Sequence, residues 1–271
     1  MKQSLDICLK AAFEAGKDIM HIYLHEDFNV EMKADNSPLT KADKKAHETI
    51  MAHLKDIDYP VLSEEGKSMD YNLRKDYERF WLVDPLDGTK EFISRNGEFT
   101  VNIALIEHGT PVAGVIYVPV TGDLYLGIVG EGAWKQNLSG KESAPDTNTI
   151  KQNKNAIRCT SRVEDKLVVV GSRSHMNDET RDFISKLEST YGKADIMSRG
   201  SSLKLCMVAE GKAHVYPRFA PTMEWDTGAG HAIAKAAGAE VLDATKRTEL
   251  NYNKADLLNP WFIVKPKGSE F

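Results

Sequence analysis

Cysteine is scarce in this chain of 271 residues: Cys8, Cys159 and Cys206 are the whole supply. They are odd in number, far apart and never paired as Cys-x-x-Cys. That pattern excludes a disulfide framework, a zinc knuckle and a dithiol redox motif, and it leaves reduced core thiols of a cytoplasmic protein as the expectation. Positive charge is short as well. With 35 Lys and Arg against 40 Asp and Glu, the net charge is −5. No surface-wide positive field exists to hold nucleic acid or an anionic membrane, so an anionic ligand must be met by local cations. Long apolar runs are missing too, and nothing approaches the ~20 residues that a membrane-spanning helix needs. Near the N-terminus, Leu5, Cys8, Leu9, Ala12, Phe13 and Ile19 recur at helical spacing, with Lys2, Asp6, Lys10, Glu14 and Lys17 between them. This is the pattern of an amphipathic surface helix and not of a signal peptide. Internal repeats and low-complexity tracts are also lacking.

What is present is enough for a full core: 41% of the residues are hydrophobic, and the length suits one large domain or two modest ones. Residues 1–58 read as two helices joined by a polar loop, the second beginning near Thr40. The apolar strand Phe80–Val83 then stops at Asp84-Pro85. Runs rich in β-branched and aromatic residues follow at 99–106, 112–118 and 124–129, separated by His108-Gly109-Thr110 and Thr121-Gly122-Asp123 at hairpin spacing. They predict an antiparallel meander. From Gln136 to Asn155 the composition turns polar, as in a linker. Beyond it, strands at 167–170, 195–197, 214–216 and 240–242 alternate with helices at 178–191, 202–210 and 227–237, the order of an α/β half. The expected division is an α+β half over 1–150 and an α/β half over 151–267. Residues 268–271, Gly-Ser-Glu-Phe, read as a remnant of a cloning junction.

The strongest chemical signal is Asp84-Pro85-Leu86-Asp87-Gly88-Thr89, directly after a buried strand. Pro85 fixes its own φ and keeps Asp84 extended, so the chain turns and two carboxylates three residues apart can converge. Gly88 lets backbone approach a ligand closely, and Thr89 can open a helical turn whose free N–H groups face an anion. The same residue types also make an ordinary strand exit, so further carboxylates decide the matter. Glu64 and Glu65 follow the apolar Pro60-Val61-Leu62, although paired glutamates are often a solvated loop. Asp226 precedes the small-residue stretch Thr227-Gly228-Ala229-Gly230 and could equally cap that helix. Thr40 with Asp43 matches a capping box, and spacing alone leaves open whether Asp43 also acts on a water. Carboxylates are hard oxygen donors that suit Mg²⁺ or Mn²⁺. Cations and hydroxyls for an anionic ligand appear in Gly171-Ser172-Arg173-Ser174-His175, in Gly200-Ser201-Ser202-Leu203-Lys204 and at Arg218, each where a strand gives way to another element.

Taken together, Asp84-Pro-Leu-Asp-Gly-Thr, Leu62-Ser63-Glu64-Glu65 and Trp225-Asp226 followed by Gly-Ala-Gly resemble the signatures of the Li⁺-sensitive, Mg²⁺-dependent phosphatases, the superfamily of inositol monophosphatase and fructose-1,6-bisphosphatase. The stretches 33–38, 84–102, 172–175, 200–204 and 208–211 are most similar to its 3′(2′),5′-bisphosphate nucleotidase branch, and the resemblance runs from about residue 5 to about 264. Gly66 departs from the pattern, since another acid is common there, and the 136–155 stretch has no clear counterpart. The resemblance implies a layered αβαβα sandwich with the site between its halves. It implies that Glu64, Asp84, Asp87, Asp226 and the carbonyl of Leu86 hold two or three Mg²⁺ ions, while Asp43 and Thr89 position and deprotonate the attacking water. Gly88 and Thr89 would offer backbone donors to the scissile phosphate. Arg173, His175, Ser201, Lys204 and Arg218 would hold the nucleotide and its other phosphate. The implied reaction takes the 3′-phosphate from adenosine 3′,5′-bisphosphate, or from 3′-phosphoadenylyl sulfate, in the cytoplasm. Two rivals stay open: an inositol or sugar phosphatase sharing every metal ligand, and a non-catalytic sensor that binds without turnover.

Overall fold

Helix, sheet, helix, sheet and helix layers alternate in the computed structural model, which describes residues 1–28, 30–32, 38–66, 70–171 and 176–271. The first layer pairs the helices Lys2–His25 and Lys41–Leu54. Thr40 caps the second through a reciprocal pair of bonds with Asp43, so this helix begins where the S/T-x-x-D spacing put it. Both helices lie on a seven-stranded sheet in the order Val61–Ser63, Arg79–Asp87, Thr100–Glu107, Thr110–Val118, Asp123–Ile128, Gly132–Asn137, Ala156–Ile157. Its first pair is parallel and the rest are antiparallel, which makes the expected meander its centre.

The alternation along the strands assigns each side chain to a face. Trp81 and Val83 join the core under the first helices, whereas Phe80 and Leu82 join the core under the helices Leu203–Ala209 and Glu224–Ala236. Because both faces are covered, Phe80–Val83 reads as one unbroken apolar run. The Glu224–Ala236 helix lies almost on the sheet backbone. A Cβ on Gly114 would sit 2.3 Å from the Ala229 carbonyl oxygen, and one on Gly127 would sit 2.5 Å from the Ile233 Cα. Glycine at these two strand positions is what brings the N-terminus of that helix, with Asp226, over the end of the Arg79–Asp87 strand.

The second half alternates strands and helices as expected, and its ladders are of mixed direction. Among the described residues of this half, Val168–Gly171 and Asp195–Ser198 form the parallel ladder, joined through the helix Asp178–Tyr191, and a parallel bridge from Val169 to Val215 connects them to the rest. Tyr216–Arg218, Phe262–Pro266 and Ala239–Asp243 are antiparallel, with Phe262–Pro266 in the middle. Asn259-Pro260 and Pro266 bracket that strand so closely that sequence reading passed over it. The expected 214–216 strand forms at Tyr216–Arg218, while His214 bonds its N–H to the Val168 carbonyl. The polar 136–155 stretch runs from the end of the strand Gly132–Asn137 to Ala156–Ile157, which returns to pair with that strand. The Thr147 N–H donates to Asp6 at 2.7 Å, which ties this stretch to the first helix. At the C-terminus, Phe271 packs edge-on against Tyr191 and His214.

Candidate active site

The Arg79–Asp87 strand does not stop at Asp84. It pairs with Thr100–Glu107 as far as Asp84↔Asn102, bulges over Pro85-Leu86, and resumes at Asp87↔Thr100. A bulge puts extra residues into one strand and re-aims its side chains. Here it turns Asp84 and Asp87 to the same point, where Asp226 arrives from the third position of the Glu224–Ala236 helix. One carboxylate oxygen from each of the three lies within 4.8 Å of the others.

Burial makes this arrangement costly. Asp84 is 1% exposed, and its Oδ2 has no hydrogen-bond partner among the described residues. Its Oδ1 accepts the Leu86 N–H at 3.1 Å. Burial first, then the charges of Glu64, Asp87 and Asp226, push the Asp84 carboxyl well above the ordinary range. Asp226 is pushed the same way by burial and then by Asp87 and Glu64, opposed by its bond from the Met223 N–H. An orphaned buried oxygen inside an all-oxygen, all-acidic donor set fits a small hard cation such as Mg²⁺ or Mn²⁺. Asp226 is not itself the N-cap. The helix opens earlier, at Glu224, because the Asp226 carboxylate reaches back to the N–H of the extended Met223.

Asp43 serves two partners. Its Oδ2 takes the N–H and hydroxyl of Thr40, and its Oδ1 accepts the Thr89 hydroxyl at 3.1 Å. The capping box and the link to Thr89 are both present, one to each oxygen. Burial raises the Asp43 carboxyl above its usual range, the Thr40 bonds work against that, and the charge of Glu65 adds to it. Thr89 follows Gly88, whose φ of 91° is in the left-handed region where glycine is favoured, and it starts the short helix Thr89–Ile93. The Leu86 carbonyl lies 3.4 Å from the Thr89 hydroxyl.

Two of these carboxylates open onto a cavity of ≈ 430 Å³ lined by Asp87, Gly88, Asp226, Ser201, Lys204 and Arg218, among others. Lys204 is 6% exposed, and its ammonium donates to the Ser201 and Arg199 carbonyls at 2.7 and 3.1 Å. Burial lowers its pKa to about 8, against the pull of Asp87. The Arg218 Nη2 donates to the Pro221 carbonyl, while Arg218 Nε and the Ser201 hydroxyl are buried without partners among the described residues. Ser201 holds a φ of 44°, unusual for a non-glycine residue. Arg173 and His175 lie outside the described residues.

Sequence reading missed the residues that fix Asp87. The Ser202 hydroxyl lies 2.7 Å from Asp87 Oδ2 and 2.8 Å from the Asp226 carbonyl, and it accepts from Asn102 Nδ2 at 2.9 Å. Thr100 in turn donates to Asn102 at 3.0 Å. The signal was available in the register: had the Thr100–Glu107 strand been paired with the strand before it, Thr100 and Asn102 would have fallen opposite Asp87 and Asp84. Glu98, which accepts the Gly200 N–H at 2.8 Å, was missed as well.

A model of the inositol monophosphatase family matches residues 1–269. The 3′(2′),5′-bisphosphate nucleotidase CysQ of Escherichia coli K12 is 46% identical over 266 residues, covering 96% of this chain and 98% of that protein. Among solved structures, CysQ from Bacteroides thetaiotaomicron, described as a bacterial member of the inositol monophosphatase family, superposes with a TM-score of 0.88 at 52% identity, over 98% of both chains. The extragenic suppressor protein SuhB from Bartonella henselae gives 0.75 at 25% identity, over 98% of this chain and 94% of that one.

Proposed function

Because the chain belongs to the inositol monophosphatase family, we propose that it is a Mg²⁺-dependent 3′(2′),5′-bisphosphate nucleotidase that converts adenosine 3′,5′-bisphosphate to AMP and phosphate. The observation that carries this reading is one cavity with two unlike walls. Asp87 and Asp226, which cluster with the buried Asp84, form one, and Lys204 with the Arg218 Nε and Ser201 hydroxyl, both without partners among the described residues, forms the other. Cations that line the same cavity as the carboxylates suit a substrate with a second phosphate that is not cleaved.

Glu64, Asp84, Asp87, Asp226 and the Leu86 carbonyl would hold the metal, two or three Mg²⁺ in this reading. When bound, Mg²⁺ neutralises phosphoryl charge and makes the neighbouring water more acidic. The rest falls to the chain itself. The backbone N–H groups of Gly88 and Thr89 orient the scissile phosphate at the start of the Thr89–Ile93 helix. The Thr89 hydroxyl donates to Asp43 and can therefore accept from the attacking water. Buried Asp43, more basic than an ordinary aspartate, takes the proton through Thr89. Attack in line breaks the bond between phosphorus and the 3′-oxygen, which leaves as the ribose hydroxyl after gaining a proton from solvent. Lys204 and Arg218 keep the 5′-phosphate, and with it the nucleotide, in register for that displacement. Ser202 and Asn102 hold Asp87 in its rotamer throughout.

The test compares kcat/KM for adenosine 3′,5′-bisphosphate and for inositol 1-phosphate in wild type, Lys204→Ala and Arg218→Ala, with melting curves beside them. A charge-assisted hydrogen bond contributes roughly 1.5–3 kcal/mol, so each variant should lose about ten- to a hundredfold on the bisphosphate and much less on the monophosphate. Equal losses on both substrates would remove the second-phosphate wall from the account and favour a monophosphate substrate.

A further inference from the structure

We infer that Arg95, remote from the cavity, is a positioning residue that sets Thr89 against Asp43. The inference rests on the reading of those two residues as the water-activating pair. They come from different elements, the Thr89–Ile93 helix and the Lys41–Leu54 helix, and the 3.1 Å bond between them is their direct link. What fixes their separation is an aromatic box on the far side of the short helix.

Phe92 is the helix's one fully buried side chain. Its ring packs against Phe28 at 4.5 Å, Tyr23 at 5.2 Å and Phe99 at 5.3 Å between centroids. Phe28 also governs the other partner, since its carbonyl accepts the Lys41 N–H at 3.1 Å, immediately beside the Thr40 cap that holds Asp43. One residue thus touches the helix of Thr89 with its ring and the helix of Asp43 with its backbone. Arg95 closes the box. Its guanidinium stands 4.5 Å above the Phe28 ring and 5.3 Å from the Tyr23 ring, and Nη1 donates to the Tyr23 carbonyl at 2.6 Å. That carbonyl lies in the last turn of the Lys2–His25 helix, where free carbonyls and the helix dipole favour a cation.

The backbone ties Arg95 to the same short helix. Arg95 holds a φ of 56° as the left-handed residue that ends this helix, its N–H donating to the Phe92 carbonyl at 3.1 Å and the Asn96 N–H to the Glu91 carbonyl at 3.2 Å, a position that glycine or asparagine fills at less cost. The helix end sets the backbone of Arg95, while the two rings and the carbonyl set its head group. Arg95 sits two residues past the end of the catalytic turn's helix, so releasing its side-chain clamp frees that helix to shift. A displacement of about 1 Å at a reacting group can cost a hundredfold in rate.

Steady-state kinetics on adenosine 3′,5′-bisphosphate, with melting curves, test this in Arg95→Ala, Arg95→Gly and Arg95→Lys. Arg95→Ala should lower kcat roughly ten- to a hundredfold with KM within about threefold of wild type. Arg95→Gly relieves the backbone and so keeps the fold, yet should be as slow as the alanine variant, while Arg95→Lys should recover most of the rate. In a Thr89→Ala background, itself slow, adding Arg95→Ala should cost less than threefold more, because the group that Arg95 positions is already gone. Three results would overturn the inference: kcat within twofold of wild type in Arg95→Gly, losses in kcat and KM that multiply unchanged onto Thr89→Ala, or activity that tracks melting temperature alone across the series. If Thr89→Ala itself turns over at the wild-type rate, the water-activating pair fails and the inference fails with it. A slow Thr89→Ala beside a normal Arg95→Gly rejects only the role of Arg95.

Discussion

Replacing Asp84 with asparagine should make the metal-free protein more stable and the enzyme inactive, an opposition that a merely structural aspartate would not show. Asp84, Asp87 and Asp226 bring carboxylate oxygens within 4.8 Å of one another, and Asp84 is buried with one oxygen unpartnered. At that distance and an effective dielectric of 20, two full charges repel by about 3.5 kcal/mol. Because the Asp84 carboxyl is already pushed toward its protonated form, only part of this repulsion exists in the metal-free state, and about 1–3 kcal/mol is recoverable. The asparagine NH₂ would also donate to the acids that now face an acceptor. For a chain of this length, each kcal/mol moves Tm by roughly 2–4 °C, so melting in a chelator should rise by roughly 2–12 °C. Millimolar Mg²⁺ should then raise Tm in wild type, by linkage to binding, and barely in Asp84→Asn. The assay is a thermal melt of both proteins with EDTA and with MgCl₂, beside phosphate release. A lower Tm for Asp84→Asn in EDTA, or an undiminished Mg²⁺ shift, would refute the reasoning.

Two further changes test other parts of the structure. Burial pushes the imidazole of His231, whose Nδ1 meets the Tyr252 hydroxyl at 3.0 Å, down to a pKa of about 3. Between that value and the unfolded pKa near 6.5, the unfolded chain binds the extra proton. This contribution to stability is therefore complete above about pH 6.5 and falls as pH drops toward 3, by about 1.4 kcal/mol per unit. Urea unfolding at pH 6.5 and 4.5 should show a smaller loss in His231→Asn, by about 2–3 kcal/mol, and equal losses would contradict the assignment. Gly114→Ala would drive a methyl group to 2.3 Å from the Ala229 carbonyl oxygen. It should cost about 1–3 kcal/mol by overpacking, read as a lower Tm, and an unchanged Tm would show that the helix can lift off the sheet without penalty.

How much of this was legible in the residues depended on whether a signal was local. Asp84-Pro-Leu-Asp-Gly-Thr could be read because proline, glycine and two acids act within six positions. Thr40 and Asp43 could be read as a cap for the same reason, but not as a cap whose other oxygen meets Thr89 46 residues away. The Glu224 start of the helix carried no signature, since Met223 contributes no capping side chain and the Asp226 carboxylate reaches back to do the work. Phe262–Pro266 was lost between prolines although it is the central strand of its sheet. Ser202, Asn102 and Arg95 act only through register and packing across the chain, which composition and periodicity do not record.

The central claim is that this cavity takes one phosphate from a nucleotide that carries two, with the help of a divalent cation. The most direct measurement follows phosphate release from adenosine 3′,5′-bisphosphate with MgCl₂ and with EDTA, identifies the nucleotide product by chromatography, and runs inositol 1-phosphate in parallel. The expected result is stoichiometric 5′-AMP and phosphate, strict dependence on Mg²⁺, and a kcat/KM for the bisphosphate well above that for inositol 1-phosphate. Turnover that persists in EDTA, adenosine 3′-phosphate as the product, or preference for inositol 1-phosphate would contradict it.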